Sequence, residues 1–144
     1  MEKTWHICQT ILAAVGGFLG WFLGGVDGFL FVLIGFVVVD YITGVLRAVV
    51  EKKLSSRIGA RGIIKKILIF LIVGVAHLAD EYMLHSGEAL RTAAIFFYAS
   101  NEGISLLENA IVIGLPVPEK FKDILAQLHK RKDGEKEENT EEND

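Results

Sequence analysis

The chain holds one cysteine, Cys8, and two prolines, Pro116 and Pro118, in 144 residues. A lone cysteine excludes an intrachain disulfide framework and a multi-cysteine zinc site. Signatures of catalysis are missing as well. His6, His77, His85 and His129 lie far apart, and none belongs to an HExxH pair; there is no GxSxG and no CxxC. No Lys-Ser or Lys-Thr follows the glycine-rich stretch, which argues against a phosphate-cradling loop. The expectation is a protein without enzymatic activity, cofactor or metal. Formal charge is also missing where it matters. Thr4 to Val26 is a run of 23 residues with none, longer than the roughly 20 that cross a hydrocarbon core.

Composition alone decides little, at 51% hydrophobic, 23% charged and a net charge of −3. Distribution decides more. Asp133 to Asp144 carries seven acids against one base, so the acidity belongs to a tail. The body is mildly basic, but its bases are interleaved with membrane-length apolar runs, which disfavours nucleic acid as a partner. Fifteen glycines in such a chain suit packed membrane helices.

Four apolar blocks follow one another, at about 5–25, 28–50, 63–80 and 90–115. The first carries Gly16, Gly20 and Gly24 at i, i+4 and i+8, a spacing that lets helix backbones approach closely in lipid; a flexible glycine-rich hairpin is the plainer alternative. Only Glu2 and Lys3 precede it, a weak n-region for a cleaved signal peptide. In the second block Asp40, Thr43, Gly44 and Arg47 form one helical stripe, with Gly44 as its packing residue. In the fourth, at about 100° per residue, Arg91, Tyr98, Asn101, Glu102, Ser105, Glu108 and Asn109 fall within an arc of about 120°. Asp40, Glu102 and Glu108 would lie at membrane depth, where an unpaired charge costs ~2.5–3.5 kcal/mol. Such groups either pair between helices in a static seam, line water in an oligomer, or sit on the surface of a soluble helical protein. Arg91 and Asn101 are the expected partners of Asp40, because Arg47 lies two turns along the same helix.

Between the second and third blocks EKKLSSRIGARGIIKK places Lys52, Lys53, Arg57, Arg61, Lys65 and Lys66 where anionic headgroups would meet them. Short basic loops stay cytoplasmic. That puts 51–66 and the Lys130-Arg131-Lys132 cluster inside, with the base-free connection around Asp80, Glu81 and Glu88 outside. The N-terminus returns to the cytoplasm if the first block spans; three spans with an external N-terminal segment is the alternative. Beyond Gly114-Leu-Pro116-Val-Pro118, the apolar residues Phe121, Ile124, Leu125 and Leu128 predict an amphipathic helix within 116–132. It either lies on the membrane or serves as a minor packing helix. The acidic 133–144 should be disordered. The expected organisation is therefore all-α: a polytopic membrane domain of three to four transmembrane helices over 1–115, then this helix and the tail.

Several strings resemble one family. Asp40-Tyr-Ile-Thr43-Gly44, Leu54-Ser55-Ser56, Gly62-Ile-Ile-Lys65-Lys66, Tyr98-Ala-Ser-Asn101-Glu102-Gly103-Ile-Ser105-Leu-Leu-Glu108-Asn109 and Gly114-Leu-Pro116-Val-Pro118 resemble the phage-lysis holins, including the clostridial toxin-secretion holins. The likeness runs from about Gly28 to Leu128. It implies a small protein of the bacterial cytoplasmic membrane that assembles with its own copies and opens a lesion. Through it an endolysin, or in related systems a toxin, leaves the cell. Expected partners are thus further copies of the chain, anionic lipids, and a functionally paired hydrolase or toxin. The alternative from another class is a small ion or solute channel or transporter that uses the intramembrane carboxylates.

Overall fold

The computed structural model describes residues 1–85 and 87–127, and these are all-α, with no strand among them. Helix α1 spans Glu2–Phe22, α2 Gly28–Val50, α3 Ser56–Ala79 and α4 Ala89–Ile113. A π-helical turn, Asp80–Leu84, extends α3. A further helix, α5, covers 119–127 after the two prolines. Leu128, the 130–132 basic cluster and the 133–144 tail lie outside the described residues.

The helix starts follow from local chemistry. Asp27, in an extended conformation, accepts the Leu30 N–H at 2.8 Å and caps α2. Ser55 accepts the Ile58 N–H at 3.3 Å and starts α3 at Ser56, well before the expected 63. The basic segment 51–66 is therefore mostly helix, and only its first residues form a loop. Helix α4 borrows its cap: the Asp80 carboxylate accepts the N–H groups of Leu90 at 3.1 Å and Arg91 at 2.8 Å. The π-turn brings Asp80 to this position, and it closes on His85 in the left-handed region. Gly114, at φ 98°, ends α4.

Helix α2 packs mainly on α4, and α3 closes the third side. Their shared core is Leu30, Leu33 and Val37 from α2, Ile69 and Val73 from α3, and Ile95 from α4. Most other large apolar side chains face outward, among them Phe31, Val75 and Phe97, as suits lipid rather than water. Helices α1 and α2 and the segment Ser56–Leu84 are each long and apolar enough to cross a membrane. The chain is a polytopic helical membrane protein. Helix α4 is as long, at 25 residues, but more polar.

Helix α1 has no buried residue and is tethered only near its C-terminal end. There the Phe22 ring lies over Gly74 of α3, in space that a Cβ would occupy. Gly24 is not part of the expected small-residue face: α1 ends before it, and its φ is +78°. Gly16 and Gly20 remain on α1, where a Cβ at either position would meet no neighbour within 4 Å. Gly44 does sit at a helix contact, beside Asn109.

Candidate functional site

The core divides two polar clusters about 16 Å apart along α4, the eleven-residue rise from Arg91 to Glu102. The deeper one joins three helices near their midpoints. Asp40 of α2 and Glu102 of α4 are both 7% exposed, and Lys66 of α3 lies between them. Its Nζ donates to Asp40 Oδ2 at 2.5 Å and also contacts Glu102 Oε2. Asn109 Nδ2 donates to Asp40 Oδ1 and to Thr43 Oγ1, each at 3.2 Å. The Asn109 carbonyl accepts from Arg47 Nη1 at 3.5 Å, and Arg47 also lies 3.6 Å from Glu51. The Thr43 hydroxyl donates back to the carbonyls of Val39 and Asp40 at 3.0 Å. Hence the expected stripe on α2 and part of the arc on α4 meet, joined by a base from α3. Beside them a cavity of about 300 Å³ is lined by Asp40, Lys66, Glu102 and Ser105 on one side and Val45, Leu54 and Ile58 on the other.

The second cluster closes the opposite end of the bundle. The Arg91 side chain is fully buried. It donates from Nη1 to Asp27 at 2.6 Å and Glu88 at 3.2 Å, from Nε to the Leu23 carbonyl at 2.6 Å, and from Nη2 to the Gly25 carbonyl at 3.0 Å. The hydrogen bond from Arg91 holds the Asp27 carboxyl below its usual range. Gly24 is glycine because Arg91 and His77 occupy the space of a Cβ. His77 Nδ1 is the one buried side-chain polar atom with no hydrogen-bond partner among the described residues. No group of three His, Cys, Asp or Glu side chains among these residues is placed to hold a metal.

The expected polar arc is thus split by function. Glu102 and Asn109 face α2 in the deep seam, and Arg91 faces the turn before α2 rather than Asp40. Ser105 lines the cavity, Tyr98 packs beside the apolar core, Glu108 is half-buried, and Asn101 is exposed. Lys52, Lys53, Arg57, Arg61 and Lys65 are exposed, as headgroup-facing residues would be; Lys66 turns inward instead. Sequence reasoning missed Lys66, Asp27 and Asp80 as partners. No local signal in the sequence singles out Lys66 from its basic neighbours, since long lysine side chains can reach headgroups from several faces of a helix.

Residues 17–130 match the model of the bacteriophage holin family. The chain belongs to that family. The matched region contains both polar clusters and α2 to α5, while most of α1 precedes it. Relatives reach across the same region. An uncharacterized 14.9 kDa protein of Clostridium perfringens is 40% identical over 132 residues, covering 92% of this chain and all of its own. The protein Lmo0128 of Listeria monocytogenes is 42% identical over 123 residues, 85% of this chain and 86% of its own. A "Probable holin" of Bacillus phage phi105 is 41% identical over 88 residues, 61% of this chain and 64% of its own. No solved structure matches. Holins are a membrane-permeabilising, non-enzymatic family.

Proposed function

We propose that this holin assembles in the bacterial cytoplasmic membrane and, at a set point, opens a lesion large enough for an endolysin to pass. The observation that carries the reading is the Asp40–Lys66–Glu102 seam. Carboxylates at the middle of two long helices are tolerated in lipid only when paired or facing water, and here one lysine from a third helix does the pairing. Such a seam is closed in the single chain and becomes hydrophilic wall when α4 and α2 separate. Assembly supplies the occasion, since neighbouring copies can replace the packing that a separating helix loses.

The exposed bases Lys52, Lys53, Arg57, Arg61 and Lys65 mark the cytoplasmic side and meet anionic headgroups. The Arg91 cluster then faces outward, with both chain termini inside and four spans in total. Helix α5 follows on the cytoplasmic side with Phe121 and Ile124 exposed and Leu125 buried. Toxin release through the same lesion would need no different chemistry from the holin.

The test is inducible expression in a bacterium with and without a co-expressed cytoplasmic endolysin. The expected result is growth arrest with the holin alone and rapid lysis with both. Membrane accumulation without either effect would reject the reading, and passage of ions without endolysin release would favour a small channel instead.

A further inference from the structure

One polar side chain on α4 has no place in either cluster. Asn101 is the thirteenth of the 25 residues of α4, so its carboxamide sits at mid-helix, yet it is exposed and pairs with nothing among the described residues. In a hydrocarbon layer an amide without a partner is costly. Its surroundings are ordered. Leu90, Ala94, Phe97, Asn101 and Ile104 step by four, three, four and three residues, the spacing of a helix-pairing seam. Leu90, Phe97 and Asn101 lie off the face that packs on the bundle, which is Arg91, Ile95, Glu102 and Asn109; Ala94 borders the core, and Ile104 is half-buried. Leu90 is 42% and Phe97 61% exposed.

We infer that this face of α4 docks on the same face of a second copy, through an Asn101–Asn101 hydrogen-bonded pair. The occupant follows from the chemistry. A carboxamide carries donors and an acceptor together, so it is complementary to itself. Copies inserted with one topology hold Asn101 at one depth, so parallel α4 helices bring the two amides together without adjustment. Asn101 is the one carboxamide of this seam, and such a polar residue also fixes register and partner number; Glu108, seven residues further on, is half-buried and already has an interaction within its own chain. The contact leaves the Asp40–Lys66–Glu102 seam closed within each copy, so it belongs to the assembled state before opening. The inference rests on the holin reading for its oligomer and adds the surface.

The experiment uses the full chain in membranes, in a Cys8→Ser background, with Phe97→Cys or Ile104→Cys as reporters and Leu71→Cys as control. Leu71 is 47% exposed on α3 and lies as many residues from Lys66 as Phe97 does from Glu102. Oxidation should link copies through Phe97→Cys and Ile104→Cys several-fold more than through Leu71→Cys. Adding Asn101→Leu should lower that linkage roughly 3- to 30-fold, the range set by one interhelical side-chain hydrogen bond, and Asn101→Gln should largely keep it. Equal or stronger linkage through Leu71→Cys, or seam linkage indifferent to Asn101→Leu, would overturn the inference. Endolysin-dependent lysis by the Cys8→Ser parent separates the two readings: lysis without seam linkage rejects this surface alone, and absence of lysis rejects the holin reading.

Discussion

Arg91 and Asp27 form an ion pair at 2.6 Å that ties the start of α4 to the start of α2, with the guanidinium wholly buried. The same Asp27 carboxylate caps α2 through its other oxygen. Truncation by Arg91→Ala removes every bond made by the guanidinium and opens a cavity beside Gly24. A loss of about 3–5 kcal/mol is expected, the usual cost of breaking a buried pair, visible as a lower melting temperature of the detergent-solubilised protein. Arg91→Lys should rescue little, because one ammonium cannot reach two carboxylates and two carbonyls set around a planar fork.

The pair also predicts an acid limit. Because Asp27 titrates lower in the folded chain than its ordinary value of about 3.8, its contribution is complete above that value and fades as pH falls through the folded one. Thermal stability of the wild type should therefore drop below about pH 4 more steeply than that of Asp27→Asn, which starts lower and lacks this term. Parallel slopes for the two proteins would contradict the assignment.

Lys66 is expected to behave as the keystone of the deep seam. Lys66→Met leaves Asp40 and Glu102 facing each other without a cation, and should cost about 3–5 kcal/mol and bring lysis forward. The triple variant Asp40→Asn, Lys66→Met, Glu102→Gln removes the charges together. It should recover most of the lost stability, since a neutral seam has little charge to desolvate. Thermal melts of the two variants check this. A triple variant no more stable than Lys66→Met would show that packing, not charge, holds the seam.

Much of this arrangement was legible in the sequence. Apolar runs of membrane length gave the helices, and the periodicity of polar residues gave the stripe on α2 and the arc on α4. Which side of the arc meets the bundle was not legible, because an arc of about 120° is wider than one helix contact. Glu102 and Asn109 fall at its edge beside Ile95, where α2 packs, and Asn101 lies within the arc but about 100° from Glu102, off that contact. Lys66 was hidden for a different reason: it ends a basic segment whose other members are exposed, and only the tertiary position of α3 turns it inward. Asp80 was hidden because its cap acts across the turn from another helix, so no local capping pattern announces it. The start of α3 was misjudged because charge was read as loop, whereas the Ser55 cap makes the same residues helical.

The tether of α1 rests on one missing side chain. Phe22 occupies the space of a Cβ at Gly74, so Gly74→Ala must push the ring away and loosen the only packed end of α1. The cost should be about 1–3 kcal/mol, and a protease site placed before Trp5 should become more accessible in permeabilised cells. Pairing it with Phe22→Ala, which vacates the space, should remove the clash but leave α1 equally loose. Restored protection in the double variant would mean that other contacts hold α1.

Opening of the seam can be followed by its own residues. Asn109 is 5% exposed and Ser105 is half-buried beside the cavity at the seam, so cysteines at these positions, in a Cys8→Ser background, should react poorly with a membrane-impermeant thiol reagent before lysis. If the α2–α4 contact parts to make the lesion wall, both become wet and react once the lesion forms. A cysteine at Leu107, away from the seam, should stay protected throughout by lipid or helix packing. Glu102→Gln sharpens the comparison. It keeps the shape and a carbonyl for Lys66 but removes one of the two charges holding that ammonium, so a charge-assisted bond becomes a weaker neutral one. The closed state is weakened more than the open one, where water solvates either side chain. Labelling at Ser105 and Asn109 should therefore begin earlier in Glu102→Gln than in the parent, with the Leu107 signal unchanged. Labelling that rises equally at all three positions would mean general loss of structure, and labelling absent from Ser105 and Asn109 after lysis would place the lesion wall elsewhere.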